Sequence, residues 1–488
     1  MRTGKAYRHI GVAQIYPWRP HGAQRDYLVQ LAVEAGYAVS ELVCSGSRVS
    51  CYDKQYQTLG WGGLEHCVKC RLGARKAGDG VSAFKLDWST KTLTIDGEEG
   101  AMLSNRAALM RAELTEDITQ GPGATGLLHA YRVGYHSTLR WIAECGVDLI
   151  LLFNGRIDIL RGVMDAARFA GVDFASYERS WFGNGLMLIP HENCLGLKLM
   201  QELGQSVGKM DLCQADITKA ENVVRRRVER LGSNEWRDFQ IGRSVKNSST
   251  GNGTARPHEV LVLPSSMYEV WGHPDWKTGW RDNFEAMEWL QARIGVPWAR
   301  WTIRGHPIWH QRVGKSLGEH ASRRYREFCA VRNIRYIEAG SSEHTSDLID
   351  LSELVVINGG SSVIDAVWRG KPVISLSESA FRLSGICPTA LSAADHIDMP
   401  DDATRRQQLI RFIHGMNRLM PTFVDHLISV SPAEQAQYEG ADFGDVIDQV
   451  RSNSLLLATK NQASVGDLVA SQAGVVERVR RLLRVGDR

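Results

Sequence analysis

The feature that most constrains this chain is an alternation in its second half between short, largely apolar runs and amphipathic segments of about ten residues. Val260-Leu261-Val262-Leu263 is apolar, Asn283 to Ile294 is helical, Ala299 to Ile303 is strand-like and Glu319 to Arg332 is helical. The alternation continues with a strand at Ile334 to Ile337, a short helix at Thr345 to Leu351 and a strand at Leu354 to Ile357. A helix from Val363 to Arg369 and a strand from Val373 to Leu376 close it. Strands that are apolar throughout, not at every second position, are buried on both faces. With helices between them, they predict parallel sheets covered on both sides.

A less regular version of the pattern occupies the first half. Ile10 to Ile15, Ala38 to Cys44, Asp148 to Phe153 and Val172 to Tyr177 read as strands. Ala23 to Ala35, Leu127 to Glu144 and Leu160 to Ala170 read as helices. Gly121 to Gly126 fits a dinucleotide-type glycine spacing, but a polar segment precedes it where that fingerprint needs a strand, so it reads as a loop before a helix. The chain has 488 residues, against roughly 100–200 per domain. The small polar stretch Asn247 to Thr254 lies between the two alternating halves. The expected division is a first α/β domain over 1–246, a linker over 247–257, a second α/β domain over 258–450 and a helical segment over 451–488. Two such units joined by a linker predict a cleft between them. In open parallel sheets the functional residues follow the carboxyl ends of the strands.

Three such ends in the second half carry polar residues. Gly359-Gly360-Ser361-Ser362 follows the strand Leu354 to Ile357 and leads into a helix, which suits an anion, because a helix start offers unpaired N–H groups. Ser362 and Asp365 also have the spacing of a capping box, which by itself would account for both. Arg304-Gly305-His306-Pro307 follows a second strand, and His306, with Pro307 behind it, is a donor for a phosphate. Pro264 to Glu269 follows a third, with Ser265, Ser266 and Glu269 as polar candidates.

In the first half, His21 follows the first strand and Glu178 ends a later one, and they are rival general bases. Each also has a structural reading, His21 in a turn and Glu178 as partner of Arg179 or Arg156. Asn154-Gly155-Arg156 follows the strand Asp148 to Phe153, and Arg156 suits an anionic acceptor or a salt bridge. Cys44 and Cys51, then Cys67 and Cys70, give C-x6-C and C-x2-C. Only the second pair has zinc-ligand spacing, so a structural zinc and four plain thiols are both open.

Composition narrows the classes. A net charge of +3 gives no basic field for nucleic acid. The 43% hydrophobic and 23% charged fractions are those of a globular protein. Arg225-Arg226-Arg227 and Arg480-Arg481 read as solvated helix faces, with contact to an anionic membrane surface as the alternative. No apolar run approaches the ~20 residues of a membrane span, and the nine cysteines fit a reducing cytoplasm.

The second half resembles the donor region of bacterial capsule polysaccharide biosynthesis proteins, GT-B-fold glycosyltransferases that include the capsule Kdo transferases. The resemblance is carried by Asp347-Leu348-Ile349, Leu354-Val355-Val356, Gly360 to Ala366 and Gly370-Lys371-Pro372-Val373-Ile374, and is strongest over residues 258–385. In that family a His-Pro pair and a Ser-Ser or Ser-Thr pair meet the phosphates of the nucleotide sugar, matched here by His306-Pro307 and Ser361-Ser362. Asp365 stands where the family usually has Glu. The resemblance implies two Rossmann-type domains and a nucleotide-sugar donor, with a CMP-linked acid sugar such as CMP-Kdo favoured over a UDP-sugar. It also implies a surface polysaccharide or glycolipid as acceptor and a cytoplasmic site of action, peripheral at the inner membrane or beside other polysaccharide-assembly proteins. No Asp-x-Asp metal motif ends a strand, and enzymes of this fold commonly replace the cation by helix dipole and side-chain charge, so no catalytic cofactor is expected. A non-hydrolysing nucleotide-sugar epimerase and a non-catalytic nucleotide- or sugar-binding protein of an export complex are the alternatives.

Overall fold

A computed structural model describes residues 7–16, 21–46, 51–56, 64–74, 80–89, 94–98, 100, 124–179, 186–229, 258–265, 270, 273–310, 315–419 and 443–458. The chain divides into two compact units, each built on its own sheet.

The first unit comprises Met1–Ser180, Asn184–Gly196 and Leu419–Arg488. Its elements are β1 (His9–Ala13), α1 (His21–Glu34), β2 (Ala38–Val43), α2 (Tyr52–Tyr56), α3 (Leu64–Ala74) and β3 (Val81–Lys85). There follow α4 (Ala124–Cys145), β4 (Leu149–Phe153), α5 (Asp158–Ala170), β5 (Asp173–Arg179) and β6 (Leu186–Pro190). The strands lie in the order β3-β2-β1-β4-β5-β6. All neighbours pair in parallel except β6, which runs antiparallel to β5. All five residues of β4 are buried, as its unbroken apolar run requires. On one face, α4 and α5 touch backbone to backbone. A Cβ on Gly162 would lie 2.2 Å from Tyr131 O, and one on Gly134 would lie 2.4 Å from Ile159 O. The helix Phe443–Ala458 also belongs here. Phe443, Val446, Ile447 and Val450 enter the core, and Asn453 Nδ2 donates to Leu188 O (2.8 Å).

The second unit comprises Trp181–Gly183 and Leu197–Arg418. It begins with α6 (Lys198–Val207) and α7 (Gln214–Val228), followed by β7 (His258–Leu263), α8 (Asn283–Ile294), β8 (Trp301–Arg304) and α9 (Lys315–Arg332). Then come β9 (Arg335–Ile337), α10 (Thr345–Asp350), β10 (Ser352–Ile357), α11 (Ser362–Trp368), β11 (Val373–Ser375) and α12 (Asp402–Leu419). The order is β11-β10-β7-β8-β9, all parallel. Local signals define the helix ends: Asp282 Oδ1 accepts from the N–H groups of Phe284 and Glu285 (3.0 Å each), and Gly295 closes α8 at φ 69°.

Counted from its own first strand, each sheet has the 3-2-1-4-5 order of a Rossmann fold, so the α/β fold with two Rossmann-type units is the one expected. The division of the chain is not at 247–257, a segment outside the described residues. Instead α6 and α7 join the second unit, because Gln201 of α6 donates to Glu378 Oε2 (3.1 Å) and Arg227 of α7 pairs with Asp365 (3.1 Å). The helix Phe443–Ala458 returns to the first unit, so neither boundary of the expected 258–450 domain matches a unit. No helix among the described residues is long and apolar enough to cross a membrane.

Candidate functional site

In a sheet of this order, the loops after the first and fourth strands diverge to opposite faces, and a crevice opens between them. In the second unit those strands are β7 and β10, with β8 beside β7. The three polar segments singled out above therefore follow three adjacent parallel strands. Ser265, after β7, and Asn358, directly after β10, are joined: the Ser265 N–H donates to Asn358 Oδ1. The two glycines have distinct roles. Gly359 has φ 86°, and a Cβ there would meet Glu378 O at 2.5 Å, so the protein's own backbone fills the space. A Cβ on Gly360 would lie 2.6 Å from Ser265 Oγ.

Ser361 is the N-cap of α11 and makes no side-chain cap bond, while Ser362 is the first helical residue. The capping box is therefore not formed. Asp365 is instead held by Arg227, whose Nε and Nη2 donate to Oδ2 at 3.3 and 3.1 Å. The same Nη2 donates to Ser361 O (3.3 Å) and Ser361 Oγ (3.0 Å). Sequence reasoning took Arg225 to Arg227 as one solvated face, which is right for Arg225 and Arg226, both exposed. Arg227 follows buried Ala220 and Val224 at i+7 and i+3, the helical spacing that could have singled it out.

His306 and Pro307 are half-buried, and Pro307 opens a 3-10 turn to His310. Arg304 is otherwise engaged: it is buried, and its guanidinium donates to Glu338 O and to Ser341 O (3.2 Å), tying down the loop after β9. Ser266 and Glu269 lie outside the described residues.

In the first unit the corresponding strands are β1 and β4, with β5 beside β4. His21 begins α1 after β1, Asn154 follows β4, and Glu178 lies near the end of β5. The rival bases prove to be neighbours. His21 Nδ1 lies 3.9 Å from Glu178 Oε1 and 3.1 Å from Gln24 Oε1. Asn154 Nδ2 donates to Glu178 Oε2 (2.9 Å), and Asn154 itself takes a left-handed conformation (φ 64°). Nδ1 is thus the ring nitrogen that faces the Glu178 carboxylate and the Gln24 amide oxygen. The His21 ring packs against Phe153, centroids 4.2 Å apart and planes tilted by 33°. Arg156 is half-buried, and its N–H donates to Asn154 Oδ1 (3.2 Å).

The cysteines are free thiols. A hydrogen bond from Cys70 brings the Cys44 thiol down to about 7, helped by the Gly46 N–H (3.4 Å). Burial, together with the nearby Asp158 carboxylate, pushes the Cys51 thiol well up. Among the described residues no group of three or more His, Cys, Asp or Glu side chains is arranged to hold a metal, so the four-cysteine site does not form there. The polar feature of this region is Asp158, fully buried, which accepts from Tyr16 Oη and from the Tyr52 N–H (2.7 Å).

No protein-family model and no curated protein matches the chain. Solved structures align with it at low identity. KpsC of Thermosulfurimonas dismutans, a beta Kdo 2,7 transferase, is 12% identical over 65% of this chain and 89% of that one, with a TM-score of 0.35. A beta Kdo 2,4 transferase structure of KpsC from the same organism is 13% identical over 62% and 87%, with a TM-score of 0.34. A putative UDP-N-acetylglucosamine 2-epimerase from Listeria monocytogenes is 10% identical over 85% and 95%, with a TM-score of 0.28. At these TM-scores the likeness carries no argument, and the fold class stands on the strand orders.

Proposed function

We propose that the chain is a glycosyltransferase using a nucleotide-activated sugar. The second unit binds the donor, whose phosphates meet Ser265, His306, Gly360, Ser361 and Ser362. The observation that carries this reading is the joining of the Ser265 loop to the Gly359–Ser362 turn at the switch point of a Rossmann-ordered sheet. Arg227 and His306 add donors there, and charge on a leaving phosphate is stabilised by such groups. In the first unit His21 is the general base, accepting the acceptor hydroxyl proton at Nε2. Glu178, held by Asn154, faces the opposite edge of the ring and stabilises the imidazolium formed. Asn154 and Arg156 border the acceptor. A CMP-linked acid sugar is the favoured donor on the motif resemblance, and a surface polysaccharide or glycolipid the acceptor.

Thermal melting against CMP, UDP, GDP and TDP tests the donor class. A nucleotide at 100 times its dissociation constant stabilises by roughly 2.7 kcal/mol. CMP is expected to give the largest shift, and no shift with any of the four overturns the reading. His21→Ala is expected to cut acceptor-dependent turnover about 100-fold or more with nucleotide affinity unchanged. Turnover of a nucleotide sugar without any acceptor would indicate an epimerase instead.

A further inference from the structure

Asn358 directly follows β10 at the switch point and is only 6% exposed. Its side-chain oxygen accepts from the Ser265 N–H, and this fixes which arm of the amide is which, since an N–H can meet only an acceptor. The other arm, Nδ2, is buried and has no hydrogen-bond partner among the described residues. Folding takes that nitrogen out of water and gives it nothing in return, which is costly, and buried donors are nearly always paired. Beside a polar turn at the switch point, a donor in this state is a candidate for completion by a ligand.

The neighbouring groups indicate what that is. Ser361 Oγ accepts from Arg227, a role that uses the oxygen and leaves the hydroxyl proton to donate. Arg227 brings a guanidinium to the turn, paired with Asp365 and also bonded to Ser361. The site thus offers an amide N–H, a hydroxyl proton and a guanidinium, and it calls for a ligand rich in acceptor oxygens. We propose that Asn358 is a binding residue of this site, with Nδ2 donating to a phosphate oxygen of the ligand. The inference rests on the nucleotide-sugar reading given above. It assigns Asn358 two tasks, holding the Ser265 loop through Oδ1 and binding phosphate through Nδ2.

Replacing Asn358 with Asp separates the tasks, because a carboxylate still accepts from the Ser265 N–H but has no proton to donate. Calorimetric titration should use whichever of CMP, UDP, GDP and TDP the unaltered protein binds, and inorganic pyrophosphate alongside it. Asn358→Asp is expected to weaken both by about tenfold or more. Asn358→Ala, which brings no buried charge, is expected to do the same and carries the test if the Asp variant does not fold. Affinity within about twofold of the unaltered protein overturns the assignment. Weakening for the nucleotide but not for pyrophosphate overturns the phosphate contact, because the lost partner would then be on the base or sugar. Failure of the unaltered protein to bind any of the four nucleotides has a separate signature: it removes the nucleotide reading itself, and this inference with it.

Discussion

At the scale of single residues, the groups that matter are those whose partners are far along the chain. His21 and Glu178 are separated by more than 150 positions yet lie 3.9 Å apart, because β1 and β5 flank the same central strand, β4. Asp158 shows the cost of such burial. Its carboxyl is pushed up to about 6, chiefly by loss of water, although Tyr16 and the Tyr52 N–H oppose the shift and nearby Asp53 adds to it. An unfolded aspartate titrates near 4. Between about pH 4 and 6 the folded state therefore holds a proton that the unfolded state has released. Asp158's contribution is fully present below that window and is lost as pH rises through it. Urea unfolding of the wild type and Asp158→Asn should show their stability difference shrinking by about 1–3 kcal/mol from pH 4 to 6.5. A difference independent of pH would contradict the assignment.

At the scale of elements, the Gly359–Ser362 turn is a joint between β10, β7 and β11. Gly359→Ala combines a left-handed φ with a clash against Glu378 O, a main-chain atom that cannot swing aside. A loss of about 2 kcal/mol or more is expected in chemical denaturation. Gly360→Ala meets only the Ser265 hydroxyl, which can rotate. Its stability should stay within about 1 kcal/mol of wild type, while nucleotide affinity falls because Ser265 is displaced. Equal stability losses for the two variants would show that the glycines are not distinct. How much of this was legible varies from one element to the next. The strands β7 and β10 are legible as unbroken apolar runs, and β8 and β11 as short runs that also carry Thr302 and Ser375; the positions of Ser265, His306 and Ser361 at strand ends follow. The antiparallel β6 was not, since Leu186 to Pro190 is a short apolar run with no helical crossover before it to announce a strand. Nor was Arg227, because three consecutive arginines look alike until the buried face of α7 is known.

At the scale of the whole molecule, the chain leaves its first unit at Gly196 and returns to it at Leu419. The helix Phe443–Ala458 belongs to that return. Phe443, Val446, Ile447 and Val450 follow i, i+3, i+4, i+7 spacing and are each at most 3% exposed. Burying four such side chains is worth about 1.5–3 kcal/mol apiece, comparable in sum to the 5–15 kcal/mol stability of a domain. A chain ending at residue 442 should therefore lose hydrogen-exchange protection across β4, β5 and β6 while β7 to β11 keep theirs. Uniform loss across both sheets, or no loss, would refute the independence of the two units.

The sequence by itself determined the class of fold, because continuous apolar runs can be satisfied only by strands covered on both faces. It also determined which loops would carry polar chemistry, since parallel strands present their carboxyl ends on one side. The tertiary structure alone decided which polar residues meet. Strand order brought His21 to Glu178, and the Oδ1 bond to Ser265 left Asn358 with an unpaired nitrogen. The same packing drew Arg227 to the Ser361 turn and turned Arg304 to the carbonyls of Glu338 and Ser341. The reason is physical: local pattern reports whether a side chain must be buried, whereas its partner is fixed by segments tens or hundreds of residues away.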